Sequence, residues 1–167
     1  LIPCFKSIEE ASQVLVHVDW LLNISSARRA YQTTVDFFTA YPKSRGCQIF
    51  AEDVPEIEAI KLHQAYGNKT IIGPAGVGLL VPGYFKLGVI GGVDWRQLKA
   101  NHLEQAGSVA VFSASGGMTN ELITMVASTG HGISFAACFG GDRFPTTTPR
   151  DVFLAAEADP QTKSIVY

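Results

Sequence analysis

The feature that most constrains this chain is an alternation. Short apolar runs, each ending in a loop of small or polar residues, are separated by amphipathic stretches of helical period. An apolar run of four or five residues suits a strand buried on both faces, and the stretch that follows suits a helix covering it. Chains patterned in this way fold as α/β proteins with parallel strands and crossover helices. Leu1–Phe5 reads as a first strand. Ser7 opens a capping box closed by Glu10, which predicts a helix to about Val16. Strands are expected over Asp19–Ile24, Gln48–Ala51 and Thr70–Ile72, and helices over Ala27–Phe38 and Pro55–Tyr66. Pro55 suits a first helical turn and Gly67 the position just past the end.

From Gly73 to Gly92 the pattern breaks into Gly-Pro and Pro-Gly turns with a short hairpin between them. A helix over Trp95–Leu103 leads to Gly107, and the alternation restarts. Strands are expected over Ser108–Phe112, Ile133–Phe139 and Ser164–Tyr167, with helices over Met118–Ser128 and Pro149–Ala158. A boundary near Glu104–Gly107 divides the chain into units 1–106 and 107–167. Few strands fall on each side, and the opening residue is Leu rather than Met, so both units read as truncated.

Composition narrows the function classes. With 47% hydrophobic and 17% charged residues the chain has the make-up of an ordered domain. A formal net charge of −2 gives no basic field for nucleic acid or an anionic membrane. The longest apolar stretch, Ile71–Phe85, is interrupted by Pro74 and Pro82, so no membrane span is predicted. The three cysteines, Cys4, Cys47 and Cys138, are far apart and odd in number, which fits reduced thiols of a cytoplasmic protein. No Cys or His spacing suggests a metal site.

Four loops carry the candidate chemistry. In VAVFSASGGMTNE (Val109–Glu121) an apolar strand runs into Ser113, Ser115, Gly116 and Gly117 at the start of a helix. That is the carboxyl edge of a parallel sheet, where ligands bind, and a helix N-terminus with free N–H groups favours an anion. A side chain at Gly116 is expected to block that approach. The same residues also make an ordinary Ser/Gly helix cap. In FAEDVPE (Phe50–Glu56), Glu52 can accept a ligand hydrogen bond, act as an acid or base, or cap the next helix. IIGPAGVG (Ile71–Gly78) either lets a ligand approach the backbone or forms a tight turn. In FGGDRFP (Phe139–Pro145), Asp142 and Arg143 can pair with each other or orient a partner loop. Among the histidines, His17, His63 and His102 read as surface or structural. His131 lies between a helix and the next strand, at the amino edge of the sheet, away from the ligand edge.

In this order and spacing, AEDVPE, IIGPAGVG with PGYFKLG after it, SASGGMTNE and GGDRFP resemble the NDP-forming acyl-CoA synthetase superfamily. LLNISSARRAY and the GPA loop look more like ATP-citrate lyase and citryl-CoA synthetase than the succinyl-CoA synthetase α subunit. The resemblance covers nearly the whole chain. It implies a Rossmann-like CoA-binding half followed by a flavodoxin-like ligase half. It also implies an enzyme that makes an acyl-CoA thioester from a carboxylic acid, CoA and a nucleoside triphosphate, through phosphohistidine and an acyl phosphate. By this resemblance Phe50, Ala51, Glu52, Ala75 and Gly76 contact CoA, and Ser113, Ser115, Gly116, Gly117 and Asn120 hold the phosphoryl group and substrate.

The departures bear on the chain alone. The family's glycine-rich CoA loop would lie before Leu1, and its GExGG loop and phosphorylated GHAG histidine would lie beyond Tyr167. Ala114 stands where the serine-glycine loop usually has Arg. No catalytic residue is therefore expected within this stretch, and ATP and Mg would be held by the parent enzyme's other domains or β subunit. The alternative is a non-catalytic CoA-binding or subunit-assembly module.

Overall fold

A computed structural model describes residues 2–167. The alternation resolves into two sheets. The first is three-stranded and parallel, in the order β1 (Trp20–Asn23), β2 (Gly46–Ile49), β3 (Thr70–Ile72). It is accompanied by α1 (Ile8–Val14), α2 (Ala27–Ala40) and α3 (Glu56–Tyr66). Its core is formed by Phe37, Phe38 and Tyr41 of α2 and its C-cap, Cys47 and Ile49 of β2, Leu62 of α3 and Ile71 of β3. Burial of Cys47 pushes its thiol pKa up to about 12, so it packs as a small apolar residue.

The second sheet has five strands. β6 (Val109–Ser113), β7 (Ile133–Cys138) and β8 (Ser164–Val166) run parallel. The hairpin of β4 (Gly78–Val81) and β5 (Phe85–Gly88) adds antiparallel to β7, giving the order β5-β4-β7-β6-β8. A short α4 (Trp95–Ala100) leads back to β6. α5 (Gly116–Ser128) places Ile123 in a core with Leu80, Val111 and Ile133. α6 (Pro149–Ala158) places Val152 and Ala156 in a separate core with Phe112 and Phe139. Side chains of β6 alternate between these two cores, as expected of a strand covered on both faces.

Local signals account for most element ends. Ser7 Oγ accepts from Glu10 N–H at 3.1 Å, and Glu10 reaches back to accept from Lys6 N–H at 2.8 Å. Ser115 caps α5, and Thr148 with Asp151 boxes the start of α6.

The structure corrects two expectations, the strand at the start of the chain and the first residue of β2, and places the expected hairpin. Ile2–Phe5 is not a strand; Ile2 is exposed, and no described strand lies beside it to supply a hydrogen-bond ladder. Leu1 lies outside the described residues. The expected hairpin, β4–β5, joins the second sheet antiparallel, as a tight hairpin must. β2 begins at Gly46, two residues before the expected start. Glycine is usually poor in strands, but here a Cβ at residue 46 would stand 2.0 Å from Thr70 O, so the close strand approach requires it.

The hairpin also joins the halves. It precedes residue 104 in sequence yet belongs to the second sheet. Phe85 of β5 meets Trp20 of β1 with ring centroids 5.3 Å apart. Residues 146 and 147, which follow β7, donate to Gly73 O and Ile71 O at 3.2 and 3.0 Å, so the second half runs along the free edge of β3.

Candidate functional site: loops at the carboxyl edges of both sheets

All four singled-out loops leave the carboxyl ends of parallel strands, and the structure brings them together. Loop 50–55 follows β2, loop 73–77 follows β3, loop 113–115 follows β6 and loop 139–148 follows β7. Ala75 N–H donates to Ala51 O at 2.8 Å, and Gly76 N–H to Ile49 O at 3.3 Å, tying the first two loops. Gly140 lies so close to the 73–77 loop that an added Cβ would be 1.8 Å from Pro74 O. Phe139 N–H donates to Ser113 O at 3.3 Å, and the Cys138 thiol points at Ala114 O. Gly116 closes the circle: a Cβ there would meet Val77 Cγ1 at 2.3 Å.

At the start of α5, Ser113 Oγ accepts from Ser115 N–H at 3.0 Å, and Ser115 Oγ accepts from Met118 N–H at 3.4 Å. Both hydroxyls thus shape the loop while keeping their own protons to donate. Ala114, Ser115 and Gly117 are exposed, and an added Cβ at Gly117 would meet nothing within 4 Å. Gly116 and Gly117 occupy the first two helical positions, whose N–H groups have no acceptor within the helix. Of the two, Gly117 is the exposed residue. Gly116 is half-buried, and its lack of a side chain leaves room for Val77. Asn120 Oδ1 accepts from Gly91 N–H at 2.7 Å, anchoring α5 to the segment after β5.

On the other side of the cluster, Phe50 and Glu52 are exposed and Ala51 and Ala75 half-buried. Glu52 is not a helix cap: α3 begins after Pro55 without a side-chain cap. It belongs to an acidic group with Asp53 and Asp142. Desolvation, then the charges of Asp53 and Glu52, raise the Asp142 carboxyl above its ordinary range. Asp142 does not pair with Arg143. The guanidinium instead lies 3.8 Å from Glu56 Oε1, with both side chains mostly exposed, a geometry that contributes little stability. Among the described residues no three His, Cys, Asp or Glu side chains form a group able to hold a metal ion.

His131 is far from this edge. It lines a groove of about 530 Å³ with Met125, Val126, Lys163 and Val166, at the amino ends of β6 and β8. Another cavity of about 460 Å³ lies between the halves, lined by Trp20, Leu79, Phe135 and Val152.

Two residues that shape the cluster carried no local signal. Asn23, buried at the end of β1, donates to Ala30 O and Thr34 Oγ1 and accepts from Ser25 N–H, fixing the turn into α2. Gln48, wholly buried in β2, donates to Gly76 O.

No protein-family model matches the chain. It is 41% identical over 168 residues to the probable ATP-citrate synthase subunit 1 of Schizosaccharomyces pombe, covering 99% of this chain and 27% of that protein. It is 40% identical to human ATP-citrate synthase, covering 99% of this chain and 15% of that enzyme. Among solved structures, ATP citrate lyase of Methanosaeta concilii in complex with (3S)-citryl-CoA superposes with a TM-score of 0.92 at 31% identity, over 98% of this chain and 27% of that one. ATP citrate lyase of Methanothrix soehngenii in complex with citrate and coenzyme A gives 0.90 at 31% identity, over 96% and 26% of the two chains. A dinucleotide-forming acetyl-coenzyme A synthetase of Ca. Korarchaeum cryptofilum shares the fold at 18% identity, with a TM-score of 0.74. The chain therefore spans about a quarter or less of its relatives' length, and over nearly all of its own length it is homologous to one segment of the ATP-citrate synthases.

Proposed function

We propose that this chain supplies one wall of a CoA- and acyl-phosphate-handling site in an enzyme like ATP-citrate lyase. That enzyme would form an acyl-CoA thioester from a carboxylic acid, CoA and a nucleoside triphosphate by way of phosphohistidine. The observation that carries the reading is the convergence of the four loops at one edge. Units 1–106 and 107–167 then act as CoA-binding and ligase halves, with the β4–β5 hairpin as the join.

The residues fit the groups assigned to them. Gly117, Ser113 and Ser115 present an N–H and two hydroxyl donors at a helix N-terminus, which suits a phosphoryl or carboxylate group. Phe50, Ala51, Ala75 and Gly76 present an apolar rim and close-packed backbone, which suits the neutral pantetheine and thiol end of CoA. The carboxylates of Glu52, Asp53 and Asp142 repel phosphate, so CoA's charged end would point away from them. CoA bound here would contribute a thiol able to attack an acyl phosphate; the chain's part is to orient it against the 113–117 loop. Nucleotide and Mg would be held by other domains or a β subunit of a cytoplasmic parent enzyme.

His131 lies at the opposite edge from the loops, so the isolated chain is expected to form no acyl-CoA from ATP, CoA and citrate or succinate. With labelled ATP, His131 should stay unlabelled. Acyl-CoA formation by the chain alone would overturn this assignment of roles. CoA affinity should be weak, because one wall of a site lacks preorganisation; submicromolar binding by calorimetry would contradict it. Ala114 at the loop, where Arg is usual, is what favours the second reading, a non-catalytic CoA-binding or assembly module. Restoring a citrate-dependent ligase activity by co-expression with the remaining domains of an ATP-citrate synthase would exclude that reading.

A further inference from the structure

The wholly buried Gln48 is not explained by packing alone. Its side chain leaves β2 and donates through Nε2 to the carbonyl of Gly76, 28 residues further along the chain. Its Oε1 is buried without a hydrogen-bond partner. The carboxamide fits because the third segment around it is bare: a Cβ at Gly88, the last residue of β5, would lie 2.8 Å from Gln48 Oε1. The Gly88 carbonyl is held in turn by Lys86 Nζ at 2.6 Å. One side chain thus joins the first sheet, the loop after β3 and the hairpin of the second sheet. An apolar residue of the same size would fill the space without holding the loop. A buried amide with an unsatisfied oxygen is costly, so its presence calls for a compensating role.

We propose that Gln48 is a positioning residue: by holding Gly76 O it sets the orientation of the Gly76–Val77 peptide, and with it the 73–77 loop, at the thiol end of the CoA site. It acts through the backbone and touches no ligand itself. The inference rests on the proposed CoA role of loop 73–77. It explains a glutamine in the middle of an otherwise apolar strand, GCQI, and it assigns Gly88 the task of making room for the carboxamide.

The test uses the 167-residue chain, wild type and Gln48→Met, with Gln48→Asn as a second variant that keeps the amide but is too short to reach. Two quantities are read by NMR: hydrogen-exchange protection of the Ala75 and Gly76 amides, and the dissociation constant for CoA from shifts of the same amides. Phosphate titration of the Gly117 amide serves as control. Loss of one hydrogen bond to a buried carbonyl should weaken protection and CoA binding by roughly tenfold in both variants, with the phosphate titration and the protection of β6 and β7 unchanged. If CoA shifts loop 73–77 in wild type but binds the variants equally well, Gln48 is merely structural and the inference is overturned. If CoA leaves loop 73–77 of the wild type unmoved, the CoA reading of that loop falls, and this inference with it, whatever the exchange data show.

Discussion

The two halves contribute opposite kinds of surface to the same edge. In the first half, loops 50–55 and 73–77 are knitted to each other by backbone hydrogen bonds and by Gln48, and most of 71–76 is buried. In the second half, the 113–117 turn is braced mainly by its own serine hydroxyls and leaves Ala114, Ser115 and Gly117 exposed. The first half offers shape, suited to a neutral chain and thiol. The second offers an exposed serine and an exposed glycine at a helix N-terminus, suited to charge. The proposed site, which would bring a thiol against an acyl phosphate, would need both, and the Gly140–Pro74 and Gly116–Val77 contacts press them together.

Those two contacts are where the comparison breaks first. Gly140→Ala should have the largest effect. Its φ of +94° is unfavourable for any side chain, and the added methyl would overlap Pro74 O. Strain and overpacking together should cost several kcal/mol, about 3 or more, in denaturant unfolding. Gly116→Ala should come next, at about 1–3 kcal/mol, since only Val77 needs to yield. Val77→Ala introduced with it should recover part of the loss, a coupling that a double-mutant cycle would reveal. Gly117→Ala, one residue further, meets open space and should leave stability unchanged or raise it slightly, because alanine favours a helix by up to about 1 kcal/mol over glycine. Equal costs at 116 and 117 would refute the packing account of this loop.

Ser115→Ala removes the cap of α5 and should cost about 1 kcal/mol. The smallest effect concerns pH. Asp142 has its carboxyl pKa raised on folding, so the native state holds its proton more tightly than the unfolded chain. Stability from this group is then present below the ordinary carboxylate pKa and falls as pH rises to the raised value, above which it is level. Asp142→Asn should flatten that slope and leave the chain slightly more stable at neutral pH. The change is modest because the group is only partly desolvated. An unaltered pH profile of melting temperature in the variant would argue against the acidic cluster.

What could be read from the residues was local. The cap of α1 by Ser7, a hairpin within Gly73–Gly92, the strand ending at the serine-glycine turn and the amino-edge position of His131 all follow from short-range pattern. Contacts across long separations were not legible. Nothing in the sequence tells that Gly116 is small because of Val77, that Asn120 anchors Gly91, or that Gln48 reaches Gly76, since each depends on which sheets meet. The strand expected at Leu1–Phe5 shows the converse: an apolar run suits a strand, but without a neighbour among the described residues it has no ladder to join. β2 was displaced for a related reason. Gly46 looks like a loop residue until Thr70 is found pressed against it.

By the proposed reading, the second half binds charge through backbone N–H groups at the start of α5. The most direct measurement is the phosphate-induced rise in melting temperature of wild type and Gly117→Pro, at fixed ionic strength with chloride as control. Proline is tolerated in a first helical turn and removes one exposed N–H without filling the loop. A ligand stabilises only the state it binds, so wild type should gain stability with phosphate over chloride and Gly117→Pro should lose most of that gain. A variant that keeps the full phosphate shift, or a wild type that responds equally to chloride, would show that the turn is an ordinary helix cap and not an anion site.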